Sequence, residues 1–185
     1  MELKNTQPII YVIAGKARHG KDTCAGIISQ MYGKECTNLN FAYSLKDYAK
    51  RISDWDGSDE AKPRELLQVL GTNIIRKNID ENFFINRMIE DIKVFGYFKD
   101  VLTISDARFK NEIDSIRNNF EKVVVIRVNR PNFDNGLTPE QKNHPTEIDL
   151  DDYNNYDYVV ENDSDLESLK EKIKKIVKEV EDKWI

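Results

Sequence analysis

The chain is poor in cysteine and in long apolar stretches, and it has no excess of positive charge. Two cysteines, Cys24 and Cys36, cannot build a disulfide framework and lack the spacing of a metal site. Both are expected near the core as reduced thiols, which suits a cytoplasmic location. No apolar run approaches the roughly 18 residues of a membrane-spanning helix. Met1-Glu2-Leu3-Lys4-Asn5 has no signal-peptide pattern, so no membrane partner is expected. Lysine and arginine total 28 against 33 aspartate and glutamate, a formal charge of −5. That balance argues against a general nucleic-acid binder. It leaves room for a small anionic substrate, because local cations decide that. Internal repeats and low-complexity tracts are missing as well.

What remains is a charged, globular chain, 39% hydrophobic and 33% charged over 185 residues, of a length suited to one domain with insertions. Apolar runs at Ile9–Ala14, Thr37–Phe41, Val101–Ser105, Val123–Val128 and Tyr158–Glu161 read as strands. Helical patterns lie between them at Thr23–Tyr32, Leu45–Ile52, Arg64–Lys77, Phe83–Phe95 and Glu112–Asn119. A last amphipathic helix spans about Asp165 to Lys183, with Leu166, Leu169, Ile173, Ile176, Val177 and Val180 on its apolar face. Its charged run Glu171-Lys172-Ile173-Lys174-Lys175 reads as the solvated side. Alternating strands and helices predict an α/β fold, a three-layer α/β/α sandwich around a parallel sheet of about five strands. Ligands then bind beyond the carboxyl ends of the strands. Two segments interrupt the alternation, a helical insertion over 53–98 and a polar loop over 130–147 long enough to be a lid. The core is then 8–52, 99–129 and 148–185.

The first strand runs into Gly15-Lys16-Ala17-Arg18-His19-Gly20-Lys21-Asp22-Thr23, and a helical pattern follows. This G-x-x-x-x-G-K spacing in a strand–loop–helix context predicts a phosphate-binding loop. Its backbone N–H groups and the helix N-terminus face the anion, and Lys21 reaches the outer phosphates. The residue after the lysine is Asp22, where Ser or Thr is commonest. A carboxylate beside a triphosphate calls for a cation between them, so Asp22 is a candidate Mg²⁺ ligand and Thr23 a phosphate contact. The alternative is an acidic residue favoured at a helix start.

Phosphoryl transfer relies on positioning and charge neutralisation, so cations and carboxylates at strand ends matter. Asp106 follows Val101–Ser105 and could face Mg²⁺ or its water shell, or cap the next helix. Arg108, two residues on, could bind a substrate phosphate or pair with Asp106. Arg64 and Gln68 share a helix face, with Arg76 roughly on it. They offer a forked cation and an amide to a monophosphate and a base edge, or they belong to a solvated surface helix. Arg130 could close over the transferring group from the lid. His144 and Glu147, three apart, are expected to hydrogen-bond each other or the lid rather than hold a metal.

These pieces, in order, resemble the phage-type deoxynucleoside monophosphate kinases, a branch of the P-loop nucleotide kinases. The likeness runs from about Ile9 to Leu169. It is carried by Gly15–Thr23; Phe41-Ala42 with Leu45-Lys46; Pro63-Arg64-Glu65-Leu66-Leu67-Gln68 with Gly71-Thr72; Ser105-Asp106-Ala107-Arg108-Phe109-Lys110-Asn111-Glu112; His144-Pro145-Thr146-Glu147; and Asp157-Tyr158-Val159-Val160-Glu161-Asn162-Asp163. The resemblance implies the P-loop kinase fold and transfer from ATP, with Mg²⁺, to a deoxynucleoside monophosphate. It implies that Gly15, Lys16, Ala17, Arg18, His19, Gly20, Lys21, Asp22 and Thr23 hold ATP, with Asn162 near the adenine. Lys46, Arg64, Gln68, Arg76 and Arg108 face the monophosphate. Lys21, Asp106, Arg108 and Arg130 act on the transferring group, and Asp22 and Asp106 face the metal. Phe83 or Phe84 stands where related sequences carry a tryptophan. Competing readings are a P-loop kinase for another phosphorylated acceptor, such as phosphomevalonate or dephospho-coenzyme A, and an ATP-binding regulator without an acceptor. A homodimer is open beside a monomer. The implied location is the cytoplasm, the host's if the gene belongs to a phage.

Overall fold

Six consecutive apolar residues form β1 (Ile9–Ala14), and all six are buried, as a strand covered on both faces requires. The computed structural model describes residues 7–58 and 60–184, so the Met1–Asn5 stretch lies outside it. After β1 come α1 (Lys21–Tyr32), β2 (Cys36–Leu39), α2 (Ala42–Ile52), and α3 (Arg64–Gln68), which passes directly into a π-helical stretch, Val69–Ile79. Then follow α4 (Phe83–Gly96), β3 (Val101–Ala107), α5 (Lys110–Asn119), β4 (Val123–Asn129), two short helices α6 (Pro139–Lys142) and α7 (Pro145–Ile148), β5 (Tyr158–Glu161) and α8 (Leu166–Trp184). The five strands form one sheet in the order β2-β3-β1-β4-β5, and every pairing is parallel. The expected three-layer α/β/α architecture is therefore the one observed.

The period of two along β1 divides the core. Ile10, Val12 and Ala14 pack with Phe84, Met88 and Ile92 of α4 and Ile113 and Ile116 of α5. Ile9, Tyr11 and Ile13 pack on the other face with Cys24 and Ile28 of α1 and Ile173 and Val177 of α8. Cys24 and Cys36 are buried free thiols, as expected. Central β1 thus delivers the phosphate-loop sequence to the middle of the sheet's carboxyl edge.

The departures from the sequence reading have physical causes. β2 stops at Leu39, and α2 begins at Ala42 rather than Leu45, because the Asp106 carboxylate accepts hydrogen bonds from the first N–H groups of that helix. β3 runs two residues further than expected. The register between Val12↔Ile104 and Ala14↔Ala107 contains one extra residue on β3, a bulge next to the site. The single helix expected over Arg64–Lys77 changes to π-helical geometry at Val69 and closes with Asp80 N–H donating to the Ile75 carbonyl, five residues back. The segment 130–147, expected to be a lid, contains α6 and all but the last residue of α7, each started by a proline in its first turn. Leu166, assigned to the apolar face of the last helix, is 53% exposed because it precedes the part of α8 that meets the sheet.

Candidate active site

The loop after β1 turns sharply at Gly15. A Cβ there would stand 2.5 Å from the Val128 carbonyl oxygen of β4, so only glycine allows this approach. Arg18 adopts φ 62°, a left-handed conformation uncommon outside glycine and concentrated at functional sites. Its guanidinium donates to the Asn135 carbonyl at 2.8 Å. Lys21 opens α1 and is 6% exposed, with its ammonium donating to the Lys16 carbonyl at 2.8 Å. Burial, with Arg108 adding repulsion, lowers the Lys21 pKa to about 7. His19 accepts from the Arg130 N–H, and burial lowers its pKa too. Asn162, just past β5, donates to the His19 carbonyl at 3.1 Å and so braces the loop.

A cleft of about 390 Å³ opens from this loop toward the helical insertion. Its walls bring together Arg18, Lys21, Asp22, Lys46, Arg64, Gln68, Arg76, Asp106 and Arg108, nine of the residues singled out from sequence. Lys46, Arg64 and Gln68 line the cleft, and their side chains make no hydrogen bond to a described residue. A second hollow, past the loop, is lined by Gly20, Lys21, Asp22, Thr23, Arg130 and Asn162.

Several residues sit differently from their expected roles. Both Asp106 oxygens are engaged at 2.9 Å by the Phe41 and Ala42 N–H groups, so this carboxylate caps α2, not the following helix. Burial raises its pKa, while those two N–H groups, Arg108 and Lys46 pull the other way. Arg108 does not pair with Asp106; it donates to Glu147 at 2.7 Å. Arg76 is already engaged. It pairs with Glu112 at 2.6 Å and lies over two rings, 4.5 Å from the Phe109 centroid and 5.1 Å from Phe84. Arg130 stacks on Phe133 at 3.9 Å and lines the second hollow, outside the main cleft. Of the two courses expected for His144 and Glu147, bonding each other or bonding within 130–147, His144 takes the second. His144 caps α7, accepting from the Thr146 N–H, while Glu147 turns into the cleft.

Sequence reading missed Glu112, Ser105, Phe109 and the direction of Glu147. Glu112 is 1% exposed and accepts from Arg76 and from the Arg108 and Phe109 N–H groups, so it orders the whole turn after β3. Burial raises its pKa against the pull of Arg76. Its position three residues after Phe109, at a helix start, was the available signal. Ser105 donates to Asp22 at 2.7 Å. Phe84, not Phe83, lines the cleft; Phe83 packs against Tyr48.

Among the described residues no three His, Cys, Asp or Glu side chains cluster as a metal cage. The donors present fit a hard divalent cation held by few protein ligands and by substrate phosphates. Asp22 stands at the first turn of α1 with one oxygen taken by Ser105, and its other oxygen makes no hydrogen bond to a described residue. Each Asp106 oxygen accepts one backbone N–H and keeps a further lone pair.

A phosphate loop on the central strand, an insertion presenting cations across a cleft, and a lid beside it are the architecture of a P-loop kinase. The fold agrees with solved structures of that class. It superposes on dephospho-CoA kinase from Campylobacter jejuni with a TM-score of 0.55 at 14% identity, covering 95% of this chain and 98% of that one. It superposes on a gluconokinase from Sinorhizobium meliloti 1021 with a TM-score of 0.54 at 10% identity, covering 98% and 100%. The chain belongs to the deoxynucleotide monophosphate kinase family, whose model matches residues 37–173. It is 30% identical to deoxynucleotide monophosphate kinase of Enterobacteria phage T4 over 162 residues, 86% of this chain, and spans 62% of that protein's length. It is 28% identical over 187 aligned positions to a protein of Acanthamoeba polyphaga mimivirus provisionally given the same name, covering 87% of this chain and 91% of that one.

Proposed function

We propose that this protein transfers the γ-phosphoryl group of ATP to a deoxynucleoside monophosphate, giving the deoxynucleoside diphosphate and ADP. The observation that carries the reading is the cleft itself. A phosphate loop closes one end, and Lys46, Arg64 and Gln68, with open donors, line the other. Two anions must meet there, and the cations between them offset their repulsion.

In the reaction an oxygen of the acceptor phosphate attacks the γ-phosphorus. The bond from that phosphorus to the β–γ bridging oxygen breaks, and its electron pair stays on ADP. An ionised acceptor has no proton to lose, so no general base is needed. The loop 15–20 and Lys21 hold the donor phosphates, Arg108 lies between donor and acceptor, and Arg64 and Gln68 receive the acceptor nucleotide. Asn162 and the second hollow suit the adenosine side of ATP. Arg76, lying over two rings and ion-paired, shapes the acceptor wall more than it binds phosphate. Asp22, backed by Ser105, would hold Mg²⁺, whose chemistry is to neutralise phosphate charge. The lid over 130–147 would exclude water and so suppress ATP hydrolysis.

None of the described helices is long and apolar enough to cross a membrane. The working location we assign is the cytoplasm, the host's if the gene is viral.

The test is an ADP-release assay with ATP, Mg²⁺ and each deoxynucleoside and nucleoside monophosphate in turn, with phosphomevalonate and dephospho-coenzyme A alongside. Turnover is expected with at least one deoxynucleotide and to be lost in Lys21→Ala, with the fold retained by circular dichroism. Turnover only with a non-nucleotide acceptor overturns the reading.

A further inference from the structure

Glu147 comes from the lid and yet spans the catalytic cleft. Its Oε2 accepts the Ala17 N–H of the phosphate loop at 2.9 Å, and its Oε1 accepts from Arg108 Nη1 at 2.7 Å. Its side chain is 9% exposed, so the pair is shielded from water on most sides. One carboxylate thereby joins the loop that carries the donor phosphates to the arginine that faces the acceptor, across 130 and 39 residues of sequence respectively.

The segment that carries Glu147 is tied to neighbouring elements at Asp149, Asp151 and Asp152. His144 caps α7 through Thr146. Asp149 accepts the Lys110 N–H at the start of α5 at 2.8 Å. Asp151 pairs with Lys16 of the phosphate loop at 2.9 Å, and Asp152 with Lys110 at 2.6 Å. Residues 149–152, just past the segment 130–147, therefore tie the chain that follows Glu147 to α5 and to the phosphate loop.

Arg108 has five N–H donors, of which Glu147 takes one, while Arg108 also lines the cleft. Held by one edge, its guanidinium keeps four N–H donors that bond no described residue, beside the cleft it lines. Without Glu147 nothing else among the described residues bonds that side chain, so its several rotamers would compete.

We propose that Glu147 is a positioning residue for phosphoryl transfer, fixing Arg108 relative to the phosphate loop through its two-sided bridge. This rests on the proposed kinase reaction. Misplacing an aligning group by about 1 Å costs roughly a hundredfold in rate. Glu147→Gln is therefore expected to lower kcat about tenfold to a hundredfold, while the dissociation constant for ATP moves less than about threefold. Because Glu147 acts through Arg108, the double variant Glu147→Gln/Arg108→Ala should be no slower than Arg108→Ala alone, within about twofold. Glu147→Asp, which keeps the charge but shortens the reach, should recover part of the rate and serves if the amide variant folds poorly.

A kcat within twofold of wild type for both Glu147 variants overturns the proposal. So do losses that multiply in the double variant. ATP binding tightened tenfold with kcat intact also overturns it, since the carboxylate would then only occupy a phosphate's place. A readout independent of turnover is the rate of phenylglyoxal modification at Arg108, followed by mass spectrometry. It should rise several-fold in Glu147→Gln, and an unchanged rate overturns the bridge. If the wild type phosphorylates no deoxynucleotide, the kinase reading fails on its own evidence, and the arginine-modification rate still decides whether Glu147 holds Arg108.

Discussion

Lys21 shows how burial changes what a side chain can do. Nearly out of water, its pKa falls to about 7, so near neutrality a sizeable share of the free protein carries it uncharged. A triphosphate beside it favours the charged form, so binding must return the proton. The sign follows. Below about pH 7 Lys21 is already charged and ATP binds without proton uptake. Above it, each complex formed takes up a proton and affinity falls with rising pH, by up to about tenfold per unit. Calorimetry at pH 8.5 in buffers of different ionisation heat should show this uptake, and Lys21→Ala should lack it. Equal heats in all buffers for the wild type would refute the account. Gly15 and Lys21 were legible in the sequence because each has one function its neighbours cannot supply. Glu112 and the partners of Glu147 were not, because a carboxylate in a chain one-third charged has no distinguishing pattern until its partner is known.

Among the elements, the strands were found readily, because a parallel strand buried on both faces must be apolar throughout. Their ends were less accurate wherever a polar residue continues the strand. β3 continues through Ser105 and Asp106 at the bulge, where each finds a partner on a different helix start, Asp22 of α1 and the first N–H groups of α2. α5 extends forward to Lys110 because Glu112 and Asp149 satisfy the N–H groups of its opening turn. The turn between β3 and α5 depends on Glu112 in particular, which joins it to the π-helical stretch through Arg76. Removing one partner of such a buried pair leaves the other uncompensated. Glu112→Ala should therefore destabilise the protein by about 3 kcal/mol or more, read as a lower denaturation midpoint in urea. A change below about 1 kcal/mol would mean that Arg76 is satisfied by water instead.

On the scale of the whole molecule, three successive residues of the phosphate loop are connected to the segment 130–151. Lys16 meets Asp151, the Ala17 N–H meets Glu147, and Arg18 meets the Asn135 carbonyl. Arg18→Ala removes a charged hydrogen bond worth roughly 1.5–3 kcal/mol and should increase protease cleavage within 130–144 about tenfold, with cleavage elsewhere unchanged. Unchanged lid cleavage would show that the Arg18 contact does not restrain it. The sequence by itself determined the α/β alternation, the phosphate loop and its lysine, and which segments interrupt the core, because periodicity and local spacing are properties of neighbouring residues. Only the tertiary structure decided that Asp106 caps a helix, that Arg76 lies over the Phe84 and Phe109 rings and pairs with Glu112, that Arg130 lines the second hollow, and that Glu147 bridges the cleft. Those roles are set by partners tens of residues away, and a charged side chain in a fold goes to whichever partner best offsets the loss of water.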